Sequence, residues 1–199
     1  MTSSQPAFIK SKTAQRGAAA VEFALVAIPF FLLMFGAMEF GRLLYLWNTV
    51  QEVTRNAARQ AVVTDFTNAT AIESIRQSAV FRTTPGALPA ASNITNASVN
   101  IRYLNAAGGV ASPMPSSPGD NIAACLDALR VNECIRFVEV CVSRGGTCDA
   151  SDPTQSIPFV PMISLFSQSG PFSTDLTGLK IPLSTVRMPA ESLGFTPNT

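Results

Sequence analysis

The sequence predicts an α+β fold in which one long N-terminal transmembrane and amphipathic helix packs on a small antiparallel sheet. Three observations lead to this prediction. Residues 18–38 form an apolar run in which Glu22 is the only ionisable residue, and a helical periodicity continues from that run to about residue 63. Three later segments alternate apolar and polar residues, as half-buried strands do.

The composition of the 199 residues excludes several function classes. Only 14% of the residues are charged and 47% are hydrophobic, whereas soluble domains carry about 25% charged residues. This deficit indicates a membrane segment or an assembling protein. The chain has no histidine, which excludes Ser-His-Asp triads, Cys-His dyads and histidine-ligated metal sites, and we expect no enzyme, cofactor or metal. The formal net charge of +1 lacks the basic excess of a nucleic-acid binder.

The N-terminus has the charge pattern of a membrane anchor. Residues 1–17 contain Lys10, Lys12 and Arg16 and no acidic residue, so we expect a basic leader in the cytoplasm. The following run at 18–38 has Glu22 as its only ionisable side chain. At about 1.5 Å per helical residue it can cross a hydrocarbon core of about 30 Å. We therefore expect a single-pass protein whose C-terminal part is exported.

A cleaved secretory signal peptide is the alternative for this run. Its 21 residues are long for the apolar region of such a signal, which has about 7–15, and no A-x-A site precedes Glu39. Apolar residues also recur at steps of three or four from Leu43 to Val62. We therefore expect residues 39–63 to be an amphipathic extension of the membrane helix, and residues 64–199 to form an exported α+β domain.

Gly17 and Glu22 are the residues that a simple anchor does not need. A charge at mid-membrane costs about 2.5–3.5 kcal/mol, and less near the interface, so an intramembrane acid is expected to have a partner unless it reaches the cytoplasmic surface. If the bond after Gly17 is cut, Ala18 gains an α-amine and Glu22 becomes the fifth residue of the mature chain. The carboxylate of one subunit would then neutralise the amine of a neighbour and set the register of stacked helices.

The segment RGAAAVEFALVAIPFFLLMFGAMEFGRLLY, residues 16–45, resembles the N-terminal signature of the TadE-like family. These proteins are minor pseudopilins of the tight-adherence (Tad/Flp) type IV pilus system. The matching features are Gly17, the Val-Glu-Phe-Ala core at 21–24, Pro29, and the Glu-Phe-Gly step at 39–41. Flp major pilins have Glu-Tyr where this chain has Glu22 and Phe23, and they are far shorter, which favours the minor component.

The resemblance implies a type IV pilin-like fold and cleavage between Gly17 and Ala18 by a prepilin peptidase. It also implies placement in the inner membrane, with other pilins or pseudopilins and the pilus assembly machinery as partners in surface adherence. Glu22, Phe23 and Pro29 would then serve assembly. Because a proline removes one intrahelical hydrogen bond, Pro29 also predicts a local loosening of the helix. The alternative is a signal-anchored exported binding module unrelated to pilus assembly.

The exported portion shows one helix and three strands by pattern. We expect a helix over residues 70–81, with Thr70 as its N-cap and Glu73 completing a capping box. Strands are expected at 98–104, 135–143 and 181–188, with a loop at 105–121. Residues 159–166 are apolar and predict a short helix or loop inserted in the core, or alternatively an exposed contact patch.

The four cysteines all lie in the portion expected to be exported. Their spacing includes no CxxC pair, so disulfides are expected rather than a zinc site. Four cysteines permit three connectivities. We favour Cys125–Cys134 with Cys141–Cys148, because each bond would close a local loop beside the strand at 135–143.

Overall fold

The computed structural model describes residues 14–163, 166 and 176–196, and it confirms the α+β class. The chain divides into two compact units, Met1–Gly41 and Arg42–Thr199. The elements occur in the following order: α1 (Ala14–Ala61), α2 (Ala69–Ala79), β1 (Ala87–Leu88), β2 (Ala91–Thr95), a 3-10 turn (Asn96–Ser98), β3 (Val99–Leu104), α3 (Pro118–Leu126), β4 (Phe137–Val142), β5 (Ile157–Pro158), β6 (Lys180–Ile181) and β7 (Ser184–Pro189).

The long helix α1 contains 48 residues and continues through Pro29 without a break. Within Gly17–Ala61 it has a stretch long and apolar enough to cross a membrane, and none of that stretch is buried. The expected helix end near residue 63 is confirmed, since α1 ends at Ala61. There the Val62 carbonyl accepts backbone N–H donors from Glu191 and Leu193, at 3.2 and 3.1 Å, which satisfies a carbonyl that a helix end leaves open.

The C-terminal segment can approach the end of α1 because residue 194 is a glycine. Gly194 has φ +81°, and a Cβ there would lie 2.5 Å from the backbone nitrogen of Asp65. Any side chain at this position would therefore both strain the backbone and displace the turn after α1.

The second unit is built on the amphipathic part of α1. Its buried residues include Leu46, Val50, Val53 and Ala57, which recur at steps of three or four on one helix face. They belong to the same apolar core as the inward residues of the strands. Thr54 adds a polar contact, since its Oγ1 lies 2.9 Å from Oγ of Ser184 on β7.

The main sheet is antiparallel and has the order β3-β4-β7. In the middle of the sheet, Val140 of β4 lies opposite both Ile101 of β3 and Val186 of β7. The strands expected at 98–104 and 135–143 are therefore confirmed. The strand expected at 181–188 is two strands, because β6 pairs with β5 and only β7 joins the main sheet.

Two local predictions are wrong. The N-cap of α2 is Asn68 rather than Thr70, because Asn68 is extended and its Oδ1 accepts the Ala71 backbone N–H at 3.1 Å. Glu73 makes no capping box there, since its Oε1 accepts from Asn96 Nδ2 at 2.7 Å. This helix ends at Ala79, two residues before the expected end.

The second wrong prediction is the loop at 105–121, which includes the first residues of α3. The Asp120 backbone N–H donates to Ser117 Oγ at 3.1 Å, and Pro118 occupies the first turn of the helix. A serine N-cap followed by proline is a recognised helix start, so the sequence contained this signal.

The apolar segment at 159–166 is partly inserted in the core and partly exposed, so each of the two expectations holds for some of its residues. Phe159 and Phe166 are buried, whereas Val160 and Met162 are exposed. Two phenylalanines thus fill the core, and exposed side chains lie between them in the sequence. Residues 164–165 of this segment lie outside the described part of the chain.

Tyr103 of β3 carries a buried hydroxyl that has no hydrogen-bond partner among the described residues. The residue is 8% exposed, and its ring lies 5.6 Å from that of Phe66. Burial raises the pKa of Tyr103 to about 12. Because the same hydroxyl in the unfolded chain has the ordinary tyrosine pKa of 10.0, this group makes the folded state less stable as pH rises from 10 towards 12.

We predict that Tyr103→Phe leaves stability at pH 7 unchanged or raises it by about 1 kcal/mol, because it removes a buried hydroxyl that has no partner. Between pH 10 and 12 the stability of the variant should also decrease less than that of the wild type. Chemical denaturation in detergent at both pH values measures this. Tyr45→Phe, at a half-exposed tyrosine, is the control, and its stability should decrease between pH 10 and 12 as much as that of the wild type. A marked destabilisation of Tyr103→Phe at pH 7 would show that the hydroxyl has a partner.

Candidate functional site

The N-terminal unit presents an apolar surface around the first part of α1. None of the side chains at residues 17–38 is buried, and Phe23 is 74% exposed. The phenylalanines within this stretch contact one another, with ring centroids 5.4 Å apart for Phe30 and Phe31 and 6.0 Å apart for Phe31 and Phe35. A helix that is apolar on all sides is suited to lipid or to other apolar helices rather than to water.

Glu22 lies on this apolar surface. It is exposed, and it makes no ion pair or side-chain hydrogen bond with any residue that the structure describes. Ala18 precedes it by four residues, so the two occupy one helix face about 6 Å apart along the axis. A positive charge at Ala18 would therefore lie near the carboxylate, in the same chain or in an adjacent one.

Gly17 and Ala18 lie inside the helix, since α1 begins at Ala14. A Cβ at Gly17 would meet no atom within 4 Å beyond the backbone of its own helix, so this side of the helix is uncovered in the described chain. Phe23 and Pro29 are also exposed, on the surface that surrounds Glu22. Every predicted processing and assembly residue is thus brought onto one stretch of helix with an uncovered surface.

The second unit contains an ion cluster that the sequence did not reveal. Glu139 of β4 has a side chain only 9% exposed, and it lies between Arg102 of β3 and Arg187 of β7. Arg102 Nη1 is 3.2 Å from Glu139 Oε2, and Arg187 Nη2 is 2.9 Å from Glu139 Oε1. The cluster joins all three strands on the face of the sheet opposite the core. Only the strand register brings these residues together, and the register is not visible in the sequence.

Both expected disulfides are confirmed. Cys125–Cys134 joins the end of α3 to the segment before β4, and Cys141–Cys148 joins β4 to the loop after it. In the described residues, no group of three or more histidine, cysteine or acidic side chains is arranged to hold a metal ion.

The segment closed by the first disulfide is also fixed by charge. Arg130 Nη2 lies 3.0 Å from Asp120 Oδ1, and Arg130 Nε donates to Glu133 Oε2 at 2.7 Å. A backbone hydrogen bond from Ser116, and then the bond from Arg130, hold the pKa of Asp120 below its usual value. Hydrogen bonds to Glu133 and Asp120 raise the pKa of Arg130. Asp120 and Arg130 therefore stay ionised at neutral pH, and their ion pair links this segment to α3.

Comparison with protein-family models matches residues 17–59 to the family described as TadE-like protein. We call residues 17–59 the TadE-like region, because this stretch is similar to that family. The match begins at Gly17, includes Glu22, Phe23 and Pro29, and ends two residues before the end of α1. Searches of curated proteins and of solved structures found no significant match. The TadE-like region is thus the helix itself, and the sheet with its disulfides lies beyond the match.

We predict that Glu139→Gln destabilises the second unit by about 1–3 kcal/mol, because two arginines lose the charge of a buried acceptor. Thermal unfolding of the full chain in detergent measures the effect. Glu191→Gln is the matched control, since Glu191 is exposed and its side chain forms no ion pair or hydrogen bond with a described residue. That control should change stability by less than about 0.5 kcal/mol. Equal effects of the two substitutions would contradict a structural role for the cluster.

Proposed function

We propose that this protein is a minor pseudopilin of a Tad/Flp-type pilus, which primes, anchors or tips the pilus for surface adherence. It would be inserted in the inner membrane and assemble through its N-terminal helix. The observation that supports this proposal is the TadE-like match itself, which coincides with an uncovered apolar helix that has Gly17 at its start and Glu22 within it. The proposed role is structural, not catalytic.

The proposed orientation places the basic leader in the cytoplasm and the second unit on the exported side. Excess lysine and arginine before a membrane helix favours the cytoplasmic side. Two disulfides in the second unit support exposure to an oxidising compartment. The partners would be the membrane, other pilins or pseudopilins, and the pilus assembly machinery.

Processing by a prepilin peptidase would require the helix to open locally at the bond between Gly17 and Ala18. Glycine lowers helix stability by about 1 kcal/mol relative to alanine, so Gly17 favours local opening at this position. The open space around Gly17 would also admit a protease. After cleavage, the new amine of Ala18 would pair with Glu22 of a neighbouring subunit and fix the axial register.

We predict that wild-type protein from cells with a prepilin peptidase begins at Ala18 and that Gly17→Leu retains the full leader. A bulky residue both stabilises the helix and blocks access to the bond. Intact mass of the membrane-extracted protein distinguishes the two forms. Gly41→Leu is the control, because Gly41 is also in α1 and also has nothing within 4 Å of its Cβ position. An uncleaved wild-type protein in such cells would refute the processing step.

We predict that Glu22→Gln leaves membrane insertion intact and lowers incorporation into sheared pilus fractions about tenfold or more, since tenfold corresponds to ~1.4 kcal/mol, a modest value for a pair in lipid. Glu52→Gln, a second exposed glutamate of α1, should behave as wild type. Normal piliation and incorporation of Glu22→Gln would favour the alternative, in which the helix only tethers an exported binding module.

A further inference from the structure

The second unit exposes a group of aliphatic side chains around the first disulfide. We call this group the leucine patch, and its members are Ile122, Leu126, Leu129 and Val131. Leu126 is 85% exposed and Leu129 is 94% exposed, which is more than any other large apolar residue of the described second unit. Clustered apolar residues with such exposure mark an interaction surface more often than isolated ones do.

The leucine patch is rigid in this exposed arrangement. The disulfide Cys125–Cys134 closes the segment at its two ends, and Arg130 is bonded to Asp120 and Glu133. The Leu129 backbone N–H also donates to Asp127 Oδ1 at 2.8 Å. These bonds hold the backbone that carries the leucines, and a surface that is already ordered loses little entropy on binding.

A cleft of about 580 Å³ adjoins the leucine patch. Its lining includes Ile122 and Leu126 from the patch, Phe137 and Pro189 from the sheet, and Arg136. Projecting apolar side chains and a partly apolar hollow are therefore neighbours on one surface. In a pair related by a two-fold axis, each copy would place its projecting side chains against the cleft of the other.

The charges near the end of α3 also favour a second copy of this chain as the partner. Asp127 and Arg136 are both exposed, and neither forms an ion pair within the described part of the chain. Arg136 Nη2 makes a 3.4 Å bond to the Cys125 carbonyl, which leaves its charge unneutralised. In a two-fold contact, Asp127 of each copy would meet Arg136 of the other, so the surface supplies its own complementary charges.

We propose that the leucine patch and its cleft form a self-association surface, through which two copies of this chain pair by their second units. An anionic lipid surface fits less well, because Asp127 and Glu191 accompany Arg136 here and leave no basic excess. The contact involves residues beyond the TadE-like region and does not depend on cleavage after Gly17.

Photocross-linking in intact membranes tests the proposal with the full chain. Two copies with different epitope tags are coexpressed, and p-benzoylphenylalanine replaces Leu129. Irradiation should give a product of about twice the monomer mass that carries both tags. The same probe at Phe81, which is 52% exposed elsewhere in the second unit, should give no such product. No product, or a product with a different protein or with lipid, overturns the proposal.

Charge exchange tests the pairing itself. Asp127→Arg and Arg136→Asp should each lower the doubly tagged product about tenfold, and their combination in one chain should restore it, because both intermolecular pairs are then re-formed with reversed signs. Asp127→Asn retains an oxygen acceptor for Leu129 N–H, and it should lower the product as Asp127→Arg does. Intact disulfides on non-reducing gels verify the fold of each variant. Failure of the double variant to recover, with both disulfides intact, also overturns the proposal.

Discussion

The second unit depends on the burial of one face of α1 against the three-stranded sheet. Leu46, Val50 and Val53 supply this face, and the inward valines of β4 supply the other side of the core. Helix and sheet each have one apolar side, so neither is stable in water without the other. The Thr54–Ser184 contact and the two bonds to the Val62 carbonyl then attach the last strand and the C-terminal segment to the same helix.

The first part of α1 follows the opposite rule. None of the side chains at residues 17–38 is buried, and the apolar side chains around Glu22 are uncovered. A carboxylate in such surroundings is costly without a counter-charge. In the proposed assembly, the amine that cleavage would create at Ala18 supplies that counter-charge to Glu22. The leucine patch presents a similar problem in water, where exposed leucines of a rigid segment are expected to be covered by a partner.

The sequence predicted best those features that depend on local pattern. The apolar run and its periodicity predicted α1, alternation predicted β3 and β4, and short cysteine spacings predicted both disulfides. The sequence pattern did not predict contacts that depend on strand register, nor which of two candidate residues caps a helix. Glu139 lies between two arginines whose strands are distant from it in the sequence but adjacent to it in the sheet. Asn68 replaces Thr70 as N-cap because the side chain of Asn68 accepts the free backbone N–H of Ala71. β1 has only two residues, which is too short for an alternating pattern.

The two disulfides also bear on the order in which the chain can mature. Their cysteines are only nine and seven positions apart, whereas β7 begins 36 residues after the last cysteine. Each bond therefore closes within a segment that is complete before the final strand has been made. Both disulfides can therefore form before β7 pairs with β4, and Arg187 then arrives at a sheet edge whose neighbouring loops are already covalently closed.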